Sequence, residues 1–189
     1  MSATGSLQPS TFSLPALTLV IGGARSGKSR LAERLITATH RPRTYIATAQ
    51  AFDAEMQERI ARHRTDRGPD WTTVEAPLDI AAPLRRCDPA GAVLLDCATL
   101  WLSNVLLAGQ DMDASSHSLV AALASSPAPV VVVSNEVGWG IVPDNALARQ
   151  FRDAQGRLNQ LIAARAGLVV GVMAGLPFVL KGTLPEGTL

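Results

Sequence analysis

Residues 22 to 29 read Gly22-Gly23-Ala24-Arg25-Ser26-Gly27-Lys28-Ser29, directly after an apolar run from Leu17 to Ile21. They fit the pattern G-x-x-x-x-G-K-[ST], in which glycines let successive backbone N–H groups point at phosphate oxygens. In such a loop Lys28 bridges the β and γ phosphates, and the Ser29 hydroxyl ligates Mg²⁺. An ordinary glycine-rich turn is the alternative, but Lys28 and Lys181 are the only lysines in the chain. Because lysine is so rare here, the sequence predicts a nucleotide-phosphate loop (P-loop).

The rest of the chain alternates strand and helix patterns around this loop. Helical spacing follows it at Leu31, Leu35 and Ile36, and runs of large aliphatic residues at 93–95 and 130–133 are typical of buried strands. Further strands are predicted at 44–48, 71–75, 168–173 and 178–181, and helices at 53–65, 77–86, 98–107, 119–123 and 144–165. This alternation predicts an α/β fold, with a mostly parallel sheet and helices on both faces.

Length, charge and composition limit the class of protein. A chain of 189 residues fits one globular domain, predicted over residues 17–189, with a loose extension rich in Ser, Thr and Pro over residues 1–16. The net charge of +1 provides no general field for nucleic acid, so none is expected as a partner. No apolar run is long enough for a membrane span or signal peptide. Cys87 and Cys97 lack metal-ligand or disulfide spacing and are expected to be free thiols, which fits a cytoplasmic protein.

Two acidic residues end predicted aliphatic strands. Asp96 has the character of the second Mg²⁺-holding group, on the strand beside a P-loop; as the alternative, it caps the helix that follows. Glu136 is expected to point into the crevice above the sheet, where ligands of open α/β folds bind. It is either a base for a substrate hydroxyl or a structural acid, and the sequence leaves both interpretations open.

One of the three histidines has an unusual setting. Around His63, at the end of the predicted second helix, lie Arg59, Arg62, Arg64 and Arg67. Such a cluster suits a triphosphate, and nearby cations disfavour imidazolium, which leaves a neutral ring nitrogen able to attack phosphorus. The alternative is a histidine at the margin of a packed helix face. His40 and His117 have no comparable neighbours and are expected at the surface.

Stretches spread along the chain carry a resemblance to a known family. They are the loop at 22–29, Tyr-Ile-Ala-Thr-Ala at 45–49, Asp53 through Glu55-Met56 to Arg59-Ile60, His63-Arg64, Leu-Leu-Asp-Cys at 94–97 and Ser-Asn-Glu-Val-Gly-Trp-Gly-Ile-Val-Pro at 134–143. In this order they resemble the adenosylcobinamide kinase/adenosylcobinamide-phosphate guanylyltransferase family. The similarity extends from about Leu17 to Lys181. It implies a P-loop NTPase fold of the RecA-like kind, assembled as a homotrimer.

The resemblance also implies a bifunctional enzyme of cobalamin biosynthesis. Its first reaction phosphorylates the aminopropanol hydroxyl of adenosylcobinamide from ATP or GTP. Its second transfers GMP from GTP, carried on His63, to give adenosylcobinamide-GDP. The family's nucleotide contacts correspond here to Gly22, Gly23, Ala24, Arg25, Ser26, Gly27, Lys28, Ser29, Ala47, Thr48, Ala49, Arg64, Thr65, Asp66, Arg67, Glu75 and Asp96. Mg²⁺ is expected on Ser29 and Asp96.

The chain departs from the family pattern at three positions. Asp96 stands where the family often has Glu, which shortens the reach to a metal by one methylene. Ala49 stands where Ser is common, which removes a possible hydroxyl contact. Trp139 replaces a smaller or more flexible residue in a glycine-rich loop, which could alter contact with the corrinoid.

Other functions are compatible with the P-loop alone. A small-molecule kinase of another pathway would use the same loop without a covalent step. A GTPase switch should carry an Asn/Thr-Lys-x-Asp motif, and this sequence has none. A DNA-linked ATPase is unsupported by the near-neutral charge.

Overall fold

The described chain alternates strands with helices, as predicted. The structure, a computed structural model, describes residues 13–50, 58, 65 and 68–185. Its strands are β1 (Leu17–Gly22), β2 (Arg43–Ala47), β3 (Trp71–Glu75), β4 (Ala92–Asp96), β5 (Val130–Asn135), β6 (Leu168–Met173) and β7 (Leu176–Lys181). Its helices are α1 (Lys28–Thr37), α2 (Ala81–Arg86), α3 (Ala98–Leu107), α4 (Met112–Ala124) and α5 (Ala146–Arg165).

All of these strands join one sheet in the order β3-β2-β4-β5-β1-β6-β7. β7 is antiparallel to β6, and every other pairing is parallel. The predicted mostly parallel sheet is therefore confirmed, as is the predicted edge strand near the end of the chain. The P-loop strand β1 pairs with β5 and β6, so β5 separates β1 from β4.

Alternate residues of the central strands pack into two apolar layers. Val130 and Val132 belong to a cluster that includes residues of α2, α3, α4 and α5, which we call the α5 layer. Val131 and Val133 belong to a cluster that includes residues of α1, which we call the α1 layer. Successive strand residues point to opposite faces, so a sheet covered on both faces needs apolar residues at every position. This explains the continuous valine run in β5.

Two helices begin at residues other than those predicted. α4 begins at Met112, seven residues before the predicted Leu119. Asp111 caps this end, because its Oδ1 accepts hydrogen bonds from the backbone N–H groups of Asp113 and Ala114. Ser116 is buried in this helix and its Oγ donates to Met112 O at 2.6 Å. Serines that turn their hydroxyls back to the helix backbone hide the apolar spacing from a sequence pattern. α2 begins at Ala81, four residues after the predicted start.

Parts of two predictions lie outside the described residues. Of the extension predicted over 1–16, residues 1–12 are not described, but Leu14 packs against the α1 layer and Ala16 O accepts a hydrogen bond from Val130 N. Of the helix predicted over 53–65, Glu58 and Thr65 are described, and both are helical. None of the helices in the described ranges is long and apolar enough to cross a membrane.

Candidate active site

Residues 22 to 29 form a tight turn between β1 and α1. Arg25 and Gly27 have left-handed backbone conformations, with φ of 56° and 95°. A Cβ on Gly22 would overlap the backbone oxygen of Val172 and lie 2.6 Å from Ser26 Oγ, so only glycine fits there. A Cβ on Gly23 would meet no atom within 4 Å. The glycines therefore close the base of the loop and leave its mouth open, as a phosphate-binding turn requires.

Lys28 lies inside the loop. The residue is 8% exposed, and its Nζ donates a hydrogen bond to Gly23 O at 3.0 Å. The ammonium is thus held across the loop at the N-terminus of α1, which adds partial positive charge. Ser26 Oγ is buried and has no hydrogen-bond partner among the described residues. Because buried polar atoms are normally paired, a phosphate oxygen is the kind of partner this hydroxyl suits.

A turn from near the end of the chain supports the loop. Gly175 N donates to Ser26 O at 2.9 Å, and a Cβ on Gly27 would approach Gly175 Cα to 3.3 Å. Ala174 and Gly175 form this turn between β6 and β7, with φ of 52° and 80°. Sequence reasoning missed the contact. Gly175 by itself indicates a turn, and nothing local to it indicates which loop the turn meets.

The strand ends bring most of the predicted nucleotide contacts to one edge. In the parallel register Ala47 pairs with Glu75 on one side and with Asp96 on the other. Gly22 pairs with Asn135 in the same way. Each of these residues ends its strand, so they share the carboxyl edge of the sheet with the P-loop. Open α/β proteins bind their ligands at this edge.

Asp96 does not lie on the strand next to the P-loop. β5 occupies that place, and Val133 of β5 pairs with Asp96. The predicted adjacency is wrong, because strand order depends on how the crossovers pack and not on order along the chain. Asp96 still faces the P-loop side of the sheet. Leu94, two residues earlier, packs in the α1 layer, and residues two apart in a strand point the same way.

The Asp96 carboxylate is held by Tyr45. Tyr45 OH donates to Asp96 Oδ2 at 2.9 Å, and its ring packs edge-to-face on Trp71, with ring centroids 6.3 Å apart. Asp96 is not the cap of α3, the alternative that the sequence left open. The cap is Cys97, whose Sγ accepts a hydrogen bond from Leu100 N. The peptide bond between Asp96 and Cys97 is cis.

Thr48 fastens the chain that follows Asp96. It has no exposed surface, and its Oγ1 donates to Cys97 O and accepts from Cys97 N, both at 2.9 Å. Thr48 O in turn accepts from Asn104 Nδ2 at 2.8 Å. These contacts are structural, and a nucleotide contact by Thr48 would require them to open. Asn104 is a supporting residue that sequence reasoning missed, because a lone Asn in an apolar helix gives no signal of its partner.

Glu136 stabilises the first turn of the loop that follows β5. Its Oε1 accepts a hydrogen bond from Gly138 N at 2.6 Å, and its backbone N donates to Gly22 O at 3.1 Å. The first contact supports the structural role that the sequence left open. The second ties the loop to the end of the P-loop strand.

The remaining predicted residues differ in exposure. Ala24, Arg25, Thr65 and Glu75 are exposed, and Ser29 and Ala49 are half-buried. Outside the described residues lie His63, Arg64, Asp66 and Arg67. Their roles stay predictions, as does direct contact of a nucleotide with any residue of the predicted set.

The thiol beside Asp96 is kept neutral. Burial and the Asp96 carboxylate raise the pKa of Cys97 to about 11, against smaller opposing effects of the Leu100 and Thr99 backbone N–H groups and of Lys28. Burial also raises the pKa of Cys87, where a hydrogen bond with Thr44 opposes the shift. Both cysteines are free. Cys97 is buried and Cys87 is half-buried, and a neutral, buried thiol such as that of Cys97 is structural and unreactive.

Ser29 and Asp96 fit the predicted Mg²⁺. Both offer oxygen atoms, which this ion prefers, and both lie at the α1 side of the carboxyl edge. Over the described ranges, no three His, Cys, Asp or Glu side chains form a cluster that could hold a metal. A nucleotide-bound Mg²⁺ takes only one or two groups from the protein and the rest from phosphates and water, so two donors suffice.

Known proteins match this sequence over most of its length. The family model described as cobinamide kinase / cobinamide phosphate guanyltransferase matches residues 18–180. The chain is 50% identical to the bifunctional adenosylcobalamin biosynthesis protein CobP of Pseudomonas aeruginosa, over 87% of this chain and 96% of that protein. It is 43% identical to the bifunctional adenosylcobalamin biosynthesis protein CobU of Escherichia coli, over 87% of this chain and 99% of that protein.

Solved structures with little sequence identity share the fold. An ATPase of a bacterial type III secretion system superposes with a TM-score of 0.53 at 14% identity, covering 83% of this chain and 51% of that chain. The PH0250 protein of Pyrococcus horikoshii gives a TM-score of 0.54 at 9% identity, covering 93% and 91%. The predicted P-loop NTPase fold of the RecA-like kind is confirmed. From its sequence match, the chain belongs to the cobinamide kinase/cobinamide phosphate guanyltransferase family.

Proposed function

We propose that this chain phosphorylates adenosylcobinamide and then transfers GMP onto the new phosphate through a GMP adduct on His63. ATP or GTP supplies the phosphate, and GTP supplies the GMP. One observation carries this proposal above the others. In a chain of this family, the P-loop opens at the same sheet edge at which Ala47, Glu75 and Asp96 stand in register.

In the first reaction the aminopropanol hydroxyl oxygen attacks the γ-phosphorus of the triphosphate. The new O–P bond forms as the bond from phosphorus to the β,γ-bridging oxygen breaks, the nucleoside diphosphate leaves, and the hydroxyl proton passes to solvent. The backbone N–H groups of the loop and Lys28 position the phosphates and stabilise their charge. Ser29 and Asp96 would hold Mg²⁺, which would supply positive charge next to the phosphates.

In the second reaction a neutral ring nitrogen of His63 attacks the α-phosphorus of GTP. An N–P bond forms and pyrophosphate leaves. A phosphate oxygen of adenosylcobinamide phosphate then attacks the same phosphorus, the N–P bond breaks, and adenosylcobinamide-GDP is released with the imidazole restored. The arginines next to His63 in sequence keep the ring neutral and stabilise the charge that develops on phosphorus.

We further propose a homotrimer that works in the cytoplasm. The edge strand β7 exposes apolar side chains, with Leu176 72% and Leu180 60% exposed, and apolar edge strands tend to associate. Free thiols and nucleoside triphosphate substrates suit the reducing cytoplasm. Light scattering on the purified protein tests the trimer, and a monomer at working concentration would contradict it.

Labelled nucleotides test the GMP carrier. GTP labelled in the α-phosphate, with Mg²⁺, should mark the protein through a bond that is stable to base and labile to acid. His63→Asn should remove both the label and guanylyl transfer, while at least part of the phosphorylation of adenosylcobinamide remains, because γ-phosphoryl transfer needs no covalent carrier. His40→Asn is the matched control and should retain the label.

Two outcomes would contradict the proposal in different ways. Label that persists in the His63→Asn protein would show that another residue carries GMP. No label from α-labelled GTP, together with γ-phosphate transfer to a substrate other than a corrinoid, would identify a small-molecule kinase without a covalent step.

A further inference from the structure

Asn135 ends the strand that lies between the P-loop and Asp96. β5 pairs with β1 on one side and with β4 on the other. In the register Gly22 lies opposite Asn135, and Asp96 lies opposite Val133. Neighbouring strands are about 5 Å apart, so the Asn135 backbone lies that close to the first residue of the phosphate loop.

The side chain of Asn135 belongs to the P-loop side of the sheet. Val131 and Val133 pack in the α1 layer. Ser134 points to the other face, where its Oγ donates to Asn159 Oδ1 of α5 at 2.6 Å. Because strand residues alternate between faces, Asn135 follows Val131 and Val133. It therefore shares a face with α1, which carries Lys28 at its first turn.

A buried polar cluster holds the backbone of Asn135 in place. Its N–H donates to Thr99 Oγ1 at 2.8 Å, and its C=O accepts from Asn159 Nδ2 at 3.1 Å. Gln155, which has no exposed surface, donates through Nε2 to Ser134 Oγ at 2.9 Å and to Asn159 Oδ1 at 3.0 Å. Buried networks of this kind rigidify what they touch. The position of Asn135 is thus set without use of its own side chain.

The side-chain amide of Asn135 makes no hydrogen bond to any residue that the structure describes. The residue is half-buried at the carboxyl edge of the sheet, and an amide offers N–H donors without a charge. We propose that Asn135 is a further catalytic residue of the phosphorylation step, whose Nδ2–H donates to a γ-phosphate oxygen of the bound triphosphate.

The contribution of such a donor is electrostatic. As the hydroxyl oxygen bonds to the γ-phosphorus and the bond to the bridging oxygen breaks, charge is spread over the γ-phosphate oxygens. A donor fixed in advance stabilises that charge without reorganising during the reaction. Asn135 moves no proton, because its amide does not titrate, and the hydroxyl proton passes to solvent. Lys28 supplies the charge at the loop, and Asn135 supplies a neutral contact from the next strand.

Substitution of Asn135 tests this role in the full chain. ADP formation that depends on adenosylcobinamide is measured with ATP and Mg²⁺. Asn135→Ala should lower kcat by about 100-fold, as loss of one preorganised donor does. Its KM for ATP should stay within about threefold, because the loop still binds the nucleotide. Asn135→Asp should lose more, since a carboxylate there repels the γ-phosphate.

Ser134→Ala is the matched control, one residue earlier and on the opposite face. It removes a hydroxyl from the buried cluster, so its thermal unfolding midpoint should fall by a few degrees. Its kcat should stay within about threefold of the parent value, because Thr99 and Asn159, which bind the Asn135 backbone directly, are both retained. Asn135→Ala should show the reverse pattern, because both backbone hydrogen bonds of Asn135 survive the substitution.

Three results would overturn the role. They are a parent-like kcat in Asn135→Ala, an equal loss of kcat in Ser134→Ala, and a fall in the unfolding midpoint of Asn135→Ala that matches the Ser134→Ala control. The assay follows γ-phosphate transfer and needs no GMP carrier, so failure of the His63 proposal alone would leave the role of Asn135 standing. A parent protein that forms no ADP with adenosylcobinamide would overturn both.

Discussion

Two polar clusters hold the carboxyl edge of the sheet in different ways. At the end of β4, Tyr45 OH binds the Asp96 carboxylate directly, and Thr48 fastens the backbone after it. At the end of β5, side chains from α3 and α5 bind only the backbone of Asn135. The first cluster orients the side chain of Asp96, and the second fixes only the backbone of Asn135.

The difference follows from what each side chain is expected to do. A metal ligand must be held in a narrow geometry, and a supporting hydrogen bond to its carboxylate provides this. A neutral amide that contacts a moving phosphate needs a fixed backbone and a side-chain amide group that can adjust its position. Substitutions that disturb either the orientation of the Asp96 carboxylate or the anchoring of the backbone therefore test the difference between the two clusters.

The largest effect is expected from Asp96→Asn. The amide oxygen still accepts the Tyr45 hydrogen bond, but the negative charge that Mg²⁺ requires is lost. The kcat for phosphorylation should fall about 100- to 1,000-fold, with little change in the unfolding midpoint. Steady-state kinetics over a Mg²⁺ titration measure this. A loss of less than about threefold would show that the carboxylate does not hold the metal.

Thr48→Val should weaken the hydrogen bonds that hold the backbone after Asp96. The substitution keeps the shape of the side chain but removes the acceptor of the buried Cys97 N–H. An unpaired buried donor costs about 2 kcal/mol, and the free energy of unfolding should fall by that amount. Urea unfolding measures it.

Thr72→Val is the control for this substitution, because Thr72 is exposed on β3. Exposed substitutions of this kind change stability by less than about 0.5 kcal/mol. An equally small change in Thr48→Val would mean that the hydroxyl does not anchor the chain after Asp96.

Tyr45→Phe should disturb the orientation of the Asp96 carboxylate more than it destabilises the backbone. It removes the hydroxyl that holds Asp96 Oδ2 and keeps the ring that packs on Trp71. We expect kcat at low Mg²⁺ to fall about tenfold, which corresponds to about 1.4 kcal/mol, and the Mg²⁺ concentration for half-maximal rate to rise. A merely structural role would leave the Mg²⁺ curve in place, and an unchanged curve would refute the prediction.

The smallest effect concerns Cys97 at alkaline pH. Its pKa is raised from 9.0 to about 11 in the folded protein, so between these values only the unfolded chain loses its proton. The contribution to stability is complete below pH 9 and decreases as pH rises through this window. The free energy of unfolding should fall by about 1 kcal/mol from pH 9 to 10. Urea unfolding at both pH values measures it.

Cys97→Ser should remove this pH-dependent part, because a serine hydroxyl does not titrate in the window and still caps α3. If the Cys97→Ser protein loses stability between pH 9 and 10 as the parent does, the shift belongs to another group. Parallel measurements on the two proteins decide between these outcomes.

Local features of the chain were predictable from the sequence. The P-loop could be predicted because its chemistry lies in consecutive residues, Gly22 to Ser29, between an apolar strand and a helix. The valine run of β5 was identified as a central strand because burial on both faces requires continuous apolar residues. The length of α4 was underestimated. Its serines donate their hydroxyl hydrogens to the helix backbone, so polar residues interrupt the apolar pattern that predicts a helix.

The sequence by itself determined the α/β class, the phosphate loop and the acidic residue at the end of β4, since each depends on neighbours along the chain. Only the tertiary structure decided that β5 lies between β1 and β4, that Tyr45 binds Asp96, and that Gly175 supports the P-loop. These contacts join residues far apart in sequence. They depend on the packing of crossover helices against the sheet, which no local pattern encodes.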